Sequence, residues 1–420
     1  MKRRLLPILM TLVLVCALPI WAAFVTSGDV TNPLVSTADA TSPPEPAEVS
    51  TATDLQKKID AGKSVKLMAD ISITSTLKIS SSLTLDLNGY VLKMTGSGSV
   101  LKVSDRATLT IQDSSAEGTG TITGGNAVDG GGVYIDNNAT LKMTGGCITG
   151  CHASYGGGGI RSSGNLYMSG TAKIEKCTSN WGSDDAIWNK EGVIYADGGT
   201  VDGMVNSQGT ITCSNGTNAN AATVFNKTVY LRGSNQTKRC IEAGTYNGTV
   251  ENTGSITGGA FYGTVRNQKN SMGLNITGSV TGGTFYGPIV NEVGPGQVTG
   301  GTFAVRFDTD GGSEIEPTMV EYDDLVPKPA DPTKSGYTFI GWEDADGAYD
   351  FSKSVTAPLT LTARWEEVPS SGGYYYYQPT TDTKTTDTKG SPKTADPGVA
   401  LYAALSLLSL TGLTCATKKR

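Results

Sequence analysis

Between residues 65 and 111 apolar and polar positions alternate in short runs: Val65-Lys66-Leu67, Leu77-Lys78-Ile79, Leu83-Thr84-Leu85-Asp86-Leu87, Val91-Leu92-Lys93-Met94, Leu101-Lys102-Val103 and Leu109-Thr110-Ile111. A period of two over three to five residues predicts half-buried strands, and Asn88-Gly89, Gly96-Ser97-Gly98 and Ser104-Asp105 punctuate them as turns. Residues 131–177 write one pattern twice. Gly131-Gly132-Val133 leads to Leu141, Met143, Gly145, Ile148 and Cys151; Gly158-Gly159-Ile160 leads to Leu166, Met168, Gly170, Ile174 and Cys177. Self-similarity at a spacing of about 25 residues is the mark of a solenoid. One such unit cannot bury its own apolar row, whereas stacked copies close a continuous core. The pattern therefore predicts an all-β chain built around a parallel β-helix.

Further along, the pattern loosens over residues 180–190, which read as an excursion from the stack, and then returns in a second form. Gly199-Thr200-Val201-Asp202-Gly203, Gly244-Thr245-Tyr246-Asn247-Gly248, Gly259-Ala260-Phe261-Tyr262-Gly263, Gly283-Thr284-Phe285-Tyr286-Gly287 and Gly301-Thr302-Phe303 recur at unequal intervals. A solenoid tolerates such intervals because insertions leave as loops. About 22 residues per coil would give roughly eleven coils and a rod of about 50 Å. At the N-terminal end Asp54, Leu55 and Ile59 predict a short amphipathic helix, with Asp54 as its cap and Gly62 as its stop. Its place is over the first open sheet edge. The stack then spans residues 53–303, and its shape resembles the pectate-lyase-like, right-handed parallel β-helix.

From residue 305 prolines, aromatics and acids return. Val305-Arg306-Phe307-Asp308, Asp310-Gly311-Gly312, Gly336-Tyr337-Thr338-Phe339, Gly341-Trp342, Tyr349-Asp350-Phe351 and Leu359-Thr360-Leu361-Thr362-Ala363-Arg364-Trp365 follow in order. Residues 304–366 resemble the Listeria–Bacteroides, or internalin B-type, repeat. The resemblance implies a small β-grasp-like fold and a secreted surface spacer or binder. Independently of it, Phe307, Phe339, Trp342, Phe351 and Trp365 supply enough aromatic area for a small core.

The two ends carry address patterns. Lys2, Arg3 and Arg4 precede an apolar run over residues 5–23, as in a secretory signal peptide, with cleavage placed after Ser27. Residues 28–52, rich in Ser, Thr, Pro and Ala, read as a disordered tether, and 367–390 as a solvated linker. Ser391-Pro392-Lys393-Thr394-Ala395 is followed by an apolar stretch, 398–416, long enough to span a bilayer as a transmembrane helix, and then by Lys418-Lys419-Arg420. The order of pentapeptide, span and basic tail over 391–420 resembles the cell-wall sorting signal of Gram-positive surface proteins. In that family a sortase cuts after the threonine, here Thr394, and joins its carbonyl to peptidoglycan. Ser391 and Ala395 depart from the usual Leu and Gly, which leaves the sortase class open.

Composition narrows the chemistry. The chain has 420 residues with 54 glycines, 33 basic and 39 acidic side chains and a net charge of −6. That balance gives no basic face for nucleic acid. Of seven cysteines, Cys16 and Cys415 lie in the apolar ends, and no C-x-x-C pair occurs. Cys151 and Cys177 hold equivalent repeat positions; stacked parallel side chains fit the disulfide torsion poorly, so a buried thiol ladder is expected.

Asp184-Asp185, flanked by Trp181 and Trp188, is the nearest approach to a catalytic carboxylate pair. The order around it differs from polygalacturonase-type sites: the single histidine, His152, comes earlier and reads as a loop residue. Asp308-Thr309-Asp310-Gly311 and Asp344-Ala345-Asp346-Gly347 resemble the start of calcium loops but lack the remaining ligands, which favours turns. No cofactor or metal is expected, and the leaning is away from an enzyme.

The expectation is an extracellular protein, at the cell wall or surface of a Gram-positive bacterium, anchored by a sortase and acting as an adhesin or as a scaffold for a glycan or a host protein. Its partners are then the sortase in passing, peptidoglycan covalently through Thr394, that unknown ligand, and the membrane only before anchoring. The alternative is a polysaccharide lyase or glycoside hydrolase acting on polyuronides.

Overall fold

The computed structural model describes residues 45–180, 185–214, 223–232, 240–268, 278–292 and 298–369. Three long ladders of short parallel strands wind coil upon coil, with a short fourth made of Asn126–Asp129, His152–Gly156 and Thr178–Ser179. The first runs from Ala47–Val49 through Val65–Leu67, Leu83–Asp86, Thr108–Gln112, Thr140–Met143 and Asn165–Met168 toward Ser279–Phe285. The second starts at Ile71–Ile73 and ends in Val298–Asp308. The third, ten strands deep, runs from Leu77–Ile79 to Ile289–Asn291. The long stacked parallel sheets are those the alternation and the repeat predicted.

The register explains why that alternation was so plain. Leu141 sits between Leu109 and Leu166, Ile148 between Ile122 and Ile174, and Val133 between Leu101 and Ile160. All of these are buried, so each apolar row lies on the next and water is excluded along the axis. Coil length varies widely, from 32 residues between the partners Leu101 and Val133 to 15 between Val250 and Val265.

Inside the second ladder the side chains change type. Ile71, Leu92, Ile122, Ile148, Ile174 and Val201 give way to Phe225, Tyr246, Phe261, Phe285 and Phe303. These five rings are fully buried, and the first four stack at centroid distances of 5.0, 4.8 and 4.8 Å, nearly parallel. That spacing is the rung spacing of a sheet.

Both ends of the stack are covered. Helix Ala52–Asp60 buries Leu55 and Ile59 over the first coil. Its cap is Thr51, whose hydroxyl accepts from Asp54 N; Asp54 stands three positions further in, in the first turn. The expected cap at Asp54 is corrected accordingly: a threonine in extended conformation satisfies the free N–H, and the acid favours the positive end of the helix. Ala47–Val49, the first strand, lies inside the stretch read as a tether, where three residues give too short a run to show a period.

At the far end Val298–Asp308 leaves the last coil and continues without a break as the central strand of the next sheet. It pairs antiparallel with Thr318–Glu321 and parallel with Leu359–Glu367, which pairs antiparallel with Tyr337–Asp344. Among the described residues of 304–369 there is no helix, so the β-grasp likeness extends to the sheet alone. Trp342 packs edge-on against Phe307 and Phe339, and Trp365 against Phe339.

One expectation about the middle of the chain is overturned. Asp185–Asn189 is no excursion: it is a rung of the third ladder, paired with Ile160–Ser162 and Met204–Ser207. Its inward residues are Ile187 and a buried Asn189, and the polar residue hid the period. Asn189 Nδ2 donates to Gly192 O and Ser207 Oγ, and further along Asn252 donates to Asn267 and Asn267 to Asn291. Polar side chains are buried here because stacking lets each satisfy the next. The predicted signal peptide (1–27), the sorting signal with its span (391–420) and nearly all of the linker lie outside the described residues. Among the described residues no helix is long and apolar enough to cross a membrane.

Candidate ligand cleft

The outward positions of the third ladder form a row across successive coils: Lys102, Tyr134, Arg161, Trp188, Asn206 and Tyr230. Cations and rings alternate along it. Lys102 Nζ lies 5.0 Å from the Tyr134 centroid, and the Arg161 guanidinium lies 4.7 Å from Tyr134 and 5.5 Å from Trp188. Arg161 is buried, and its Nη1 donates to Tyr134 Oη and Ser163 Oγ, each at 2.8 Å. Two π faces take the place of a carboxylate partner for this buried charge.

Beyond Trp188 the row changes character, because Asn206 is small. A cleft of about 400 Å³ opens over it, lined by Tyr155, Asp185, Trp188, Gln208, Tyr230 and Arg232 among others. Tyr155 meets Trp188 at 5.1 Å with the rings tilted by 58°. Gly156 is required beneath: a Cβ there would stand 2.9 Å from Trp188 Cε3. The Arg232 guanidinium carbon stands over Tyr230, 3.9 Å from its centroid.

Asp185 is the single carboxylate among the described residues of the lining. It is almost fully buried, and Oδ2 accepts from Gly157 N at 3.0 Å. Burial pushes its carboxyl up from the ordinary range, while hydrogen bonds from Ser179 and Gly157 pull the other way. Its predicted companion, Asp184, lies outside the described residues, as do Ser391, Pro392, Lys393, Thr394 and Ala395. Sequence reasoning singled out Asp185 and Trp188 but missed Tyr155, Tyr230 and Arg232, which stand up to 77 positions apart and meet only through the stacking.

Other candidates resolve into structure. His152 is a strand residue rather than a loop residue, with Nδ1 2.8 Å from Thr178 Oγ1 on the next coil. Cys151 and Cys177 are free, buried thiols, and Cys177 is pushed up by its hydrogen bond with Cys151 and by burial. Asp308 and Asp344 each accept the backbone N–H two residues on, at Asp310 and Asp346, which makes both motifs Asx turns. Among the described residues no group of three or more His, Cys, Asp or Glu could hold a metal ion.

A larger groove of about 620 Å³ runs along the corner between the first and second ladders, with Gly244, Gly259, Gly283 and Gly301 in its lining and Tyr322 also on it. Its glycines answer to the interior. A Cβ on Gly259 or Gly283 would press on a buried ring at 3.1 to 3.3 Å, and both residues have φ near +100°. The groove is thus a by-product of the aromatic stack.

Residues 303–364 match the model of the Listeria-Bacteroides repeat domain. Two curated proteins of Evansella cellulosilytica are similar over 68 residues. One, named as a membrane protein, is 37% identical across 15% of this chain and 10% of its own length; the other, named as a Gly-rich membrane protein, is 35% identical across 15% and 8%. The chain thus covers a tenth or less of either relative. No solved structure matches.

Proposed function

We propose that this chain is a cell-surface display protein, an adhesin or ligand-binding scaffold, exported by its N-terminal segment and joined to peptidoglycan through Thr394. The observation that carries the proposal is the order of parts: a long stack with a rigid outer face, a Listeria-Bacteroides repeat domain at 303–364, then Ser391-Pro392-Lys393-Thr394-Ala395 ahead of an apolar stretch and a basic tail. The membrane-protein names of the two relatives agree with an envelope location. Expressed in a Gram-positive host, the protein should be released by wall hydrolases, with its C-terminal peptide ending at Thr394 on a cross-bridge fragment. Thr394→Ala should shift it to the membrane fraction. Recovery of wild-type protein still ending in Arg420 would refute covalent anchoring.

One observation keeps an enzymatic reading alive: a buried acid with a raised pKa in an aromatic cleft is how a general acid is made. A glycosidase of the usual kind needs a second carboxylate across the scissile bond, and the described lining holds Asp185 alone. Reducing-end and unsaturated-product assays on pectic and other acidic polysaccharides separate the two. Turnover that Asp185→Asn abolishes would favour the enzyme; binding without turnover favours display.

A further inference from the structure

We infer that the cleft over Asn206 is a binding slot for a carboxylate-bearing sugar ring, held between Trp188 on one side and Tyr230 with Arg232 on the other. This names the ligand class within the display proposal and rests on it only for where the partner is met. The geometry comes from the register. Trp188, Asn206 and Tyr230 occupy one outward row on consecutive rungs. Rungs in a sheet are about 4.8 Å apart, so Trp188 and Tyr230 are rooted about 9.6 Å apart. Side chains rooted at that spacing leave room between them for one saturated ring, and Asn206 is too short to fill it.

Neighbouring stretches of the surface show what happens when no gap is left. Tyr167 and Tyr195 on adjacent rungs of the first ladder close on each other at 4.0 Å, and so do Tyr262 and Tyr286 on the second at 4.4 Å. Earlier in the same row, Arg161 fills the space between Tyr134 and Trp188. Past Trp188 the row leaves an aromatic wall facing a vacancy. The volume, about 400 Å³, falls in the range of small-ligand pockets, about 300–1,000 Å³.

Charge selects the acidic sugar. The Arg232 guanidinium is exposed and stands over Tyr230; the carboxylate within its electrostatic reach, Glu251, lies one rung beyond Tyr230, outside the cleft lining, and is shared with Arg266. Arg161 backs the opposite wall, without an ion pair among the described residues. The one acid among the described residues of the lining, Asp185, is sunk beneath the floor with Gly157 N on it. Among the described residues of the lining the exposed charge is the Arg232 guanidinium and the acid is shielded, so the slot offers a cation to its ligand on a chain of net charge −6. A planar guanidinium is suited to a carboxylate, the amides of Asn206 and Gln208 to ring hydroxyls, and the indole to the apolar face of a pyranose.

The test is calorimetric titration of the full-length chain, in mild detergent, with four probes: sialyllactose, lactose, trigalacturonate and its carboxyl-reduced counterpart. The two acidic probes represent two sources of the same chemistry, and whichever binds identifies the source. Binding of at least one acidic probe is expected, with its neutral counterpart at least tenfold weaker. Asn206→Trp, which fills the slot from an outward position, and Trp188→Leu should each abolish binding. Arg232→Gln should cost the acidic probe tenfold or more and leave the neutral one unchanged. A cooperative melt within a few degrees of wild type certifies that each variant is folded. Equal affinity for acidic and neutral probes, no binding of any, or full affinity in folded Asn206→Trp overturns the proposal. Failure of wall anchoring with binding intact would overturn the display reading alone.

Discussion

An early and a late coil of the stack solve one packing problem in two ways. Around residues 83–103 a coil encloses Leu83, Leu85, Leu92, Met94, Leu101 and Val103, two apolar side chains from each ladder. Around residues 255–267 it encloses only Ile256, Phe261 and Val265, with Asn267 at the end of the third strand. A coil whose strands are two or three residues long bounds a narrower interior than one whose strands run to three or four. One large flat ring per rung then fills the space that several branched chains fill elsewhere. Corner chemistry differs in step. In the early coils Asp86 and Asp113 tie the turns by accepting from backbone N–H groups of Asn88, Ser114, Gly89, Ser115 and Gly120. In the late coils a glycine at positive φ lies against the ring below. Narrow coils thus depend on ring-over-glycine contacts, wide ones on methyl packing and carboxylate turns.

The sharpest way to break this contrast is Phe261→Ala. Removing a ring flanked by Tyr246 and Phe285 at 4.8 Å on both sides should cost about 3–5 kcal/mol. Native-state hydrogen exchange should show the loss concentrated in the coils after residue 223, because a solenoid couples nearest neighbours. Uniform loss of protection back to Ile71 would mean that the two halves are one cooperative unit.

Next is Gly283→Ala, expected to cost about 1–3 kcal/mol in a urea titration, since φ is +102° and the new methyl would lie 3.1 Å from Phe261 Cε2. Coupled with Phe261→Leu the cost should shrink to the backbone part. In the wide half, Ile174→Val should cost about 0.5–1.5 kcal/mol and leave the late coils' exchange rates unchanged.

The smallest effect is one of pH. Although burial alone would raise Asp113, hydrogen bonds from Ser115 and from the Gly120, Ser115 and Gly89 N–H groups outweigh it and hold the carboxyl below its usual range. A depressed acid contributes stability that is full above its unfolded pKa, about 3.9, and is lost as pH falls through the folded value. Asp113→Asn should therefore lower the melting temperature at pH 7, and the difference from wild type should shrink as pH falls below about 3.9 and vanish once the folded carboxyl is protonated. A difference that persists in acid would show that Asp113 acts by shape rather than charge.

The fold was legible wherever inward positions were apolar throughout. Leu141-Lys142-Met143 and Leu166-Tyr167-Met168 declare period two because every inward side chain faces hydrocarbon. Legibility failed at Asp185–Asn189, where an inward asparagine is tolerated because Gly192 O and, one rung on, Ser207 Oγ receive its amide. It failed also at Ala47–Val49, too short for any period. At the cleft, Asp185 drew notice as half of a pair of acids and Trp188 as its neighbour. The walls supplied by Tyr155, Tyr230 and Arg232 could be found only by knowing which coils adjoin, and coil lengths of 15 to 32 residues prevent that from being counted along the chain.

What the sequence determined by itself is local: alternation, turn residues, the recurring Gly-Thr-Phe motif, and the aromatic signature of residues 303–364, each set by the conformational preferences of a few adjacent residues. What only the tertiary structure decided is which outward side chains become neighbours, and where one strand serves two folds. Val298–Asp308 ends the aromatic stack at Phe303 and starts the repeat domain's sheet, so Thr318–Glu321 closes the edge that the last coil would otherwise leave open. The physical reason is that backbone hydrogen bonds between rungs join residues 15 to 32 positions apart without regard to the side chains they carry.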